Sequence, residues 1–470
     1  MVIRNICVQA FALAHIFLVV NCSGSYAKKI RAAEEAYYTG DIDTAVQRIT
    51  PLAQDASAKD RLLYYMEAGV IYHSKGDYVT SNEIFTRADE MADEIKTSIT
   101  GSVAGFLLSD RESAFQGENF ERILIKYYLA LNHTLLKDLA AAKRTLRKLE
   151  ADLKDMKYED AAYKQVLAAR YLDALISEEL KQFNDARVQY KNLEMFGADP
   201  AWLARERYAL AARARDAGDM AKYAAHKFTL LETGVRTPAG KEAGELVVLA
   251  QTGKAAVKAS RGNLMNDREF ALALRVAIDV AILSQGKGLS TAGVIAMMGT
   301  AENPIPRFDV RDNSPVPPLS VLAAELTGST VLTDFDVMAQ KNFNDNYSSY
   351  INKNVASIAT KIVVAAVAAD ALAREIRKNN DGVVGALGGL AVGLGAGGAV
   401  AATVKPDLRS WHTLPSGFAA MRVWLAPGTY SINVPDATSG YVVYGNHSES
   451  FEIKPGKKTF VSLRAFRRGL

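Results

Sequence analysis

Few side chains in this 470-residue chain are placed to do chemistry, and two of them set what that chemistry would be. Cys22 closes an apolar stretch. The only other cysteine, Cys7, lies inside that stretch, so the pattern suits modification of a single thiol rather than a disulfide framework. His412 stands beside Trp411 and would serve as a general base if a carboxylate met it in space; a structural, hydrogen-bonding histidine is the plainer alternative. No G-x-S-x-G, H-E-x-x-H, C-x-x-C or P-loop occurs in the sequence. Gly393 to Gly398 is glycine-dense, but it sits in an Ala/Gly run without the strand and acidic residue of a dinucleotide site. The six His and two Cys are scattered, which gives no metal-ligand spacing. Asp309, Asp312, Asp334 and Asp336 are too far apart in sequence to argue a site and read as solvated loop carboxylates. No catalytic, cofactor-binding or metal residue is therefore assigned, and no cofactor is expected. The chain reads as a non-enzyme, with a hydrolase of dispersed site as the minor alternative.

Composition supports a folded protein: 49% of residues are apolar and 23% charged. Fifty-six Lys plus Arg against 52 Asp plus Glu give a net charge of +4, too small and too evenly spread to imply a nucleic-acid partner. Residues 1–22 read as an export signal. Arg4 supplies the positive charge, and Ile6 to Val20 is a 15-residue, mostly apolar stretch, short of the roughly 20 residues of a membrane span. It ends Val19-Val20-Asn21-Cys22-Ser23-Gly24-Ser25, which resembles the lipobox of bacterial lipoproteins. That resemblance implies a diacylglyceryl thioether on Cys22, which becomes the mature N-terminus and ties the protein to a membrane. Ser23 in place of Asp implies, by enterobacterial sorting, the outer membrane, with the protein facing the periplasm. An ordinary signal peptide with an incidental cysteine is the alternative.

From 28 to 233 apolar residues recur at i, i+3, i+4 and i+7, which predicts helices. A longer period overlies this: Gly40 and Gly76 are 36 apart, close to the 34-residue tetratricopeptide repeat (TPR). Gly69, Tyr72, the turn Gly76-Asp77-Tyr78, then Ser81, Phe85 and Ala88 fit that pattern best. Looser copies carry Ala130, Leu139, Ala142 and Leu146; Ala174, Phe183, Ala186 and Tyr190; and Ala211, Gly218-Asp219-Met220 and Tyr223. Stacked helix pairs leave a concave face that commonly holds a protein partner. The same stack serves equally as a spacer or clamp for the rest of the chain. Tyr64, Tyr65, Tyr72, Tyr127, Tyr128, Tyr163 and Tyr171 would line a groove or, at helical spacing, fill a core.

Residues 234–345 read as a small mixed α/β region. Glu245 to Ala250 is a buried strand, Ala255 to Ala259 its return, Phe270 to Leu283 helix or strand, and Leu319 to Leu326 a further strand. Residues 346–404 read as an Ala/Gly-rich helical hairpin. Its first arm is Ser348 to Lys378. Its second, 383–404, has 22 residues without a charge and Gly385, Gly389, Gly393 and Gly397 four apart. Such a glycine zipper either inserts and self-associates in a membrane or packs as a buried hairpin. Residues 405–470 alternate in short strands and predict a small β-sandwich-like module.

Three stretches together, Glu245 to Lys258, Asp334 to Leu372 and above all Asp407 to Pro415 with Arg422 to Tyr430, resemble a family of uncharacterised bacterial TPR lipoproteins. Its mark is an Arg-Ser-Trp…Leu-Pro signature, here Arg409-Ser410-Trp411 and Leu414-Pro415, before C-terminal strands; it implies no known activity. The expected fold is mainly α: an N-terminal TPR-like α-solenoid, then a mixed α/β region with the Ala/Gly hairpin and the C-terminal module. The expected function is an exported, lipid-anchored adaptor that binds a protein partner through its repeats. A membrane-associated component that forms a homo-oligomer through 383–404 is the alternative.

Overall fold

The computed structural model describes residues 26–55, 59–99, 114–155, 165–227, 243–285, 301–322, 324–379, 400–434, 440–446 and 449–469. The signal peptide with Cys22, Tyr163 and the four-spaced glycines Gly385 to Gly397 lie outside them.

The N-terminal half is a run of helices in which each packs against the next: α1 (Tyr26–Thr39), α2 (Ile42–Gln54), α3 (Arg61–Lys75), α4 (Tyr78–Ile99), α5 (Asn119–Leu135), α6 (Leu139–Asp155), α7 (Leu167–Glu179), α8 (Phe183–Met195), α9 (Pro200–Ala214) and the short α10 (Ala217–Lys222). The turns between paired helices are built from local chemistry. Gly76 ends α3 at φ 88°, a left-handed conformation that glycine adopts without strain. Asp41, Asp199 and Asp216 cap α2, α9 and α10 by accepting from the backbone N–H three residues on. The last turn therefore falls at Arg215-Asp216, ahead of the Gly218-Asp219-Met220 expected. Close approach of α3 and α4 depends on Gly69: a Cβ there would meet ring carbons of Phe85 at 2.5–2.7 Å.

The second half supplies a five-stranded sheet in the order β10 (Tyr441–Gly445), β12 (Lys458–Arg467), β1 (Gly244–Thr252), β7 (Gly417–Leu425), β6 (Thr330–Asp334). β1 runs parallel to β12, and the other pairings are antiparallel. This corrects the expectation that the strands of 405–470 pair among themselves as a small β-sandwich-like module. β7 and β12 do not pair with each other; β1, from the region assigned to 234–345, lies between them, and β6 from the same region closes one edge. Nor does 255–259 return onto β1. Instead β2 (Val257–Ala259) pairs with β3 (Arg307–Asp309).

Alternation along the strands sorts the sheet into two faces. Leu246, Val248 and Ala250 of β1, Met421, Val423 and Leu425 of β7, and Val461, Leu463 and Ala465 of β12 form an apolar face. It is covered by residues of the short strands β4 (Leu319–Val321), β5 (Ala324–Leu326), β8 (Gly428–Tyr430), β9 (Ile432–Asn433) and β11 (Phe451–Ile453). The opposite phase carries Glu245 and Gln251, Arg422, and Lys458, Ser462 and Arg464. All six are buried, with Val247, Phe418 and Phe466, against the helices.

The stretch 270–283 resolves as helix: α11 (Arg268–Gln285) packs on α12 (Phe335–Asn379). α12 begins at Phe335 rather than near 346 and is one helix of 45 residues, about 68 Å at 1.5 Å per residue. Its first turn belongs to the main core through Phe335 and Met338. Ile351, Val355 and Ile358 then join Phe270, Leu274 and Ile278 of α11 and Val400, Ala401 and Val404 in a separate core. No helix among the described residues is long and apolar enough to cross a membrane.

Ala in place of Gly normally favours a helix by about 0.8–1.0 kcal/mol. At Gly69 the clash with Phe85 reverses the sign, since overpacking costs about 1–3 kcal/mol. Gly69→Ala should lower stability by roughly 1–2 kcal/mol in urea unfolding; an equal or more stable variant would contradict this packing of α3 on α4.

Candidate functional site: a filled groove and an adjoining cleft

The helix-facing side of the sheet packs against α3, α5 and α7 of the helical run. Three polar contacts hold it there. At one end Arg422 of β7 is fully buried and reaches Glu178 of α7 at 2.7 Å, Glu206 of α9 at 2.9 Å and Glu245 of β1 at 2.6 Å. Lys458 of β12 lies 2.6 Å from Glu178 and also pairs with Glu245. Arg213 bridges Glu245 at 2.7 Å and Glu179 at 3.0 Å. Tyr190 donates to Glu178 at 2.6 Å and Tyr171 to Glu206 at 2.9 Å. Burial alone would push Glu178 and Glu245 up, but Arg422 and Lys458 more than offset it and hold both carboxyls below their ordinary range. Burial also opposes the charge on Arg422, and the facing Glu178, Glu245 and Glu206 raise it again. These charges come from both halves, so neither half is neutralised without the other.

In the middle, His73 of α3 is buried between α5 and the sheet. Its Nδ1 lies 2.5 Å from the Asn132 Oδ1, and its Nε2 lies 2.6 Å from Gln251 Nε2 and 3.0 Å from Ser462 Oγ. Because an amide nitrogen only donates, Nε2 is the acceptor and the proton sits on Nδ1. The chain continues without a gap: Tyr128 donates to Gln251 at 2.8 Å, Asn132 to Ser81 at 2.8 Å, and Ser81 to the Gly69 carbonyl at 2.8 Å. Burial lowers the His73 pKa to about 4, so the ring is neutral.

At the other end the loop carrying Arg409-Ser410-Trp411 plugs the stack. Arg409 meets Asp60, just before α3, at 2.8 Å and Asp407 at 2.7 Å. Trp411 sits among Phe85 and Tyr128, with ring centroids 6.2 and 5.9 Å away. Glu67 of α3 accepts from the His412 N–H at 2.6 Å, the Thr413 N–H at 2.9 Å, the Thr413 hydroxyl at 2.6 Å and the Tyr26 hydroxyl at 2.5 Å. His412 does meet a carboxylate: Nδ1 lies 2.9 Å from Glu34. The pair is largely covered, His412 and Glu34 being 12% and 13% exposed, and Arg311 shares Glu34 at 3.0 Å. This places His412 in the plug rather than in an open cleft. Of the tyrosines, Tyr64, Tyr65, Tyr127, Tyr128 and Tyr171 are buried and Tyr72 is partly so. They are core.

An open cleft lies beside the plug. It holds about 210 Å³ between the loop before α5, β2, the Pro304-Ile305-Pro306 turn, α12 and the 407–409 segment. An inner chamber of about 20 Å³ adjoins it, the two sharing Glu118 and Lys258. Lys258 and Glu118 pair at 2.7 Å, and the Glu118 N–H donates to Glu121 at 2.7 Å. Burial pushes Glu121 up to about 7 and Asp336, also on the chamber wall, up to about 6. By sequence Asp336 reads as a solvated loop carboxylate. The structure puts it in the first turn of α12, buried, accepting from the Ala256 N–H at 2.6 Å. Among the described residues no cluster of His, Cys, Asp and Glu is arranged to hold a metal.

No protein-family model and no curated protein matches the chain. Among solved structures, the chain is similar to one described as MamA RS-1 ArsTM double mutant, at 13% identity over 43% of this chain and 93% of that one, TM-score 0.31. It is similar to the nearly identical TPR-like repeats of a Podosopora anserina putative kinesin light chain, at 12% identity over 42% and 91%, TM-score 0.31. It is also similar to apo RapI, at 10% identity over 56% and 91%, TM-score 0.23. At such scores the likenesses carry no weight beside the helix packing itself.

Two outcomes follow from the contacts. Arg422→Met would leave the three buried carboxylates Glu178, Glu206 and Glu245 facing only Lys458 and Arg213, and breaking a buried pair costs about 3–5 kcal/mol. Denaturant unfolding should show a loss of that order; a change under about 1 kcal/mol would contradict the network. His73 is held below its unfolded value of 6.5. As pH falls from 6.5 towards 4, the unfolded chain therefore takes up a proton that the folded chain refuses. Stability drops across that window, by at most about 1.4 kcal/mol per pH unit for one group. Glu121 and Asp336, raised instead, work in the opposite sense as pH falls through 7 and 6. His73→Gln should flatten the acid limb between pH 6.5 and 4 in urea unfolding relative to wild type; identical slopes would refute a buried neutral ring.

Proposed function

We propose that the protein is an exported, lipid-anchored, non-enzymatic scaffold of the bacterial cell envelope. It is tethered through acylated Cys22 to the outer membrane and faces the periplasm. Its helical repeats clamp their own C-terminal sheet, and the rigid body so formed presents its outer surface to a protein partner. The observation that carries the reading is the filled groove. Arg422, Lys458 and Glu245 from the sheet are neutralised only with Glu178, Glu206 and Arg213 from the helices. The groove is therefore a permanent internal interface, and a partner engages elsewhere. The tether rests on the sequence at 1–25, where Cys22 follows the apolar stretch and no later cysteine competes for acylation.

A second reading, a membrane-associated component that self-associates through 383–404, draws support from one surface. On α11, Leu272, Val276 and Val280 are 65%, 55% and 62% exposed at four-residue spacing. That stripe lies on the helix whose other side packs with Val400 and Val404, where the uncharged run ends.

Metabolic labelling with radioactive palmitate tests the tether. The wild-type protein should incorporate label and fractionate with membranes, and Cys22→Ser should lose both. Equal labelling of the variant, or none in wild type, would refute the lipid anchor. Membrane association that survives the substitution would favour the second reading.

A further inference from the structure

The helix nearest Cys22 in the chain begins already fixed to the folded body. Tyr26, the first residue of α1, is 4% exposed. Its hydroxyl donates to Glu67 of α3 at 2.5 Å, and its ring stacks on Tyr64 with centroids 5.5 Å apart. Ile30, one turn on, is buried in the same core. Only Ser23, Gly24 and Ser25 separate Tyr26 from Cys22, and four residue steps reach at most about 14 Å. A lipid on Cys22 therefore acts on the rigid body through a very short link, and it holds the Tyr26 end of α1 close to the bilayer surface.

The side chains at that end carry one sign of charge. Lys28, Lys29 and Arg31 are all exposed and stand within about 8 Å of Tyr26 along the helix, at 1.5 Å per residue. None of the three has an ion-pair or hydrogen-bond partner among the described residues. Glu34 is engaged by His412 and Arg311. Glu35 is exposed but stands a turn farther from Cys22 than Arg31. Lys28 and Arg31, three apart, repel one another on the helix. On a free surface such a cluster would simply be solvated. Here the short link keeps it within about two Debye lengths of the membrane, each about 8 Å at physiological salt, before the reach of the side chains is added.

We infer that Lys28, Lys29 and Arg31 seat the folded body on anionic phospholipid headgroups, so that the protein lies against its membrane by the Tyr26 end of α1. The inference rests on the acylated Cys22 proposed above. The acyl chains supply residence on the membrane, and the cations select the pose. A Lys or Arg close to an anionic leaflet favours contact about fivefold, and the three together about a hundredfold. That is too little to hold the protein without the lipid, but enough to decide which side faces the bilayer once the lipid is inserted.

Energy transfer on vesicles tests the pose. No cysteine follows Cys22, so Ala32→Cys gives the acylated protein one free thiol for a donor dye, at an exposed position of α1. The acceptor is a trace of headgroup-labelled lipid, in vesicles of phosphatidylcholine alone or of phosphatidylcholine with phosphatidylglycerol. The labelled protein should bind both vesicles and transfer more strongly on the anionic ones. Salt at about 1 M, where the Debye length falls to about 3 Å, should bring transfer down to the neutral value. Lys28→Gln, Lys29→Gln and Arg31→Gln together should give the neutral value on both vesicles, with the amount bound and thermal unfolding unchanged. Equal transfer from protein bound to both vesicles, or a difference that survives either salt or the triple substitution, would overturn the seating and leave the lipid anchor standing. Acylated protein that binds neither vesicle would overturn the anchor, and the seating with it.

Discussion

Arg422 is the residue on which the architecture turns. A guanidinium taken wholly out of water needs opposite charge in contact, and its three carboxylate partners come from three different elements, α7, α9 and β1. Two belong to helices and one to the neighbouring strand. The sheet can bury this side only against the helices, and the helices can bury Glu178 and Glu206 only against the sheet. Buried ion pairs of this kind add little net stability over an apolar core of the same shape. What they show here is geometry: Arg422 meets α7, α9 and β1 at 2.6–2.9 Å.

The same logic repeats along the interface in uncharged form. His73, Asn132, Gln251, Ser462 and Tyr128 satisfy one another across four elements. Glu67 gathers four donors, three of them from the plug loop. A partly satisfied network would be worse than none, so each ties the sheet to the helices at a fixed point. The surface of α3, α5 and α7 that meets the sheet is thus committed within the chain.

The sequence made the local elements legible because their signals are local. Gly76 as a left-handed cap, the Phe85 and Ala88 spacing on α4, and the unbroken Glu245–Ala250 strand are all readable from a few neighbours. What it concealed was partnership at long range. The strands after 405 look self-sufficient by alternation, yet β1 lies some 170 residues earlier than its neighbour β7. Nothing in the alternation of either strand specifies that pairing. A weaker clue was present: Arg422, Lys458 and Ser462 fall in the phase opposite the apolar set, which reads as solvent-facing unless a polar cover exists. Glu178 and Glu206 are acidic helix residues of a type that is ordinarily solvent-facing. Their burial is a property of the pair of surfaces, which neither segment shows alone. His412 and the Arg409-Ser410-Trp411 signature were recognisable as distinctive, and the structure gives them a packing role that residue type could not announce.

Native-state hydrogen exchange on the intact chain addresses the interlock most directly. If helices and sheet stand or fall together, the amides of Val247 and Val248 in β1 and of Val70 and Ile71 in α3 should exchange with one common free energy and one denaturant dependence, those of global unfolding. A smaller opening that releases the β1 amides while the α3 amides stay protected would mean that the sheet leaves the groove on its own, and would contradict the interlock.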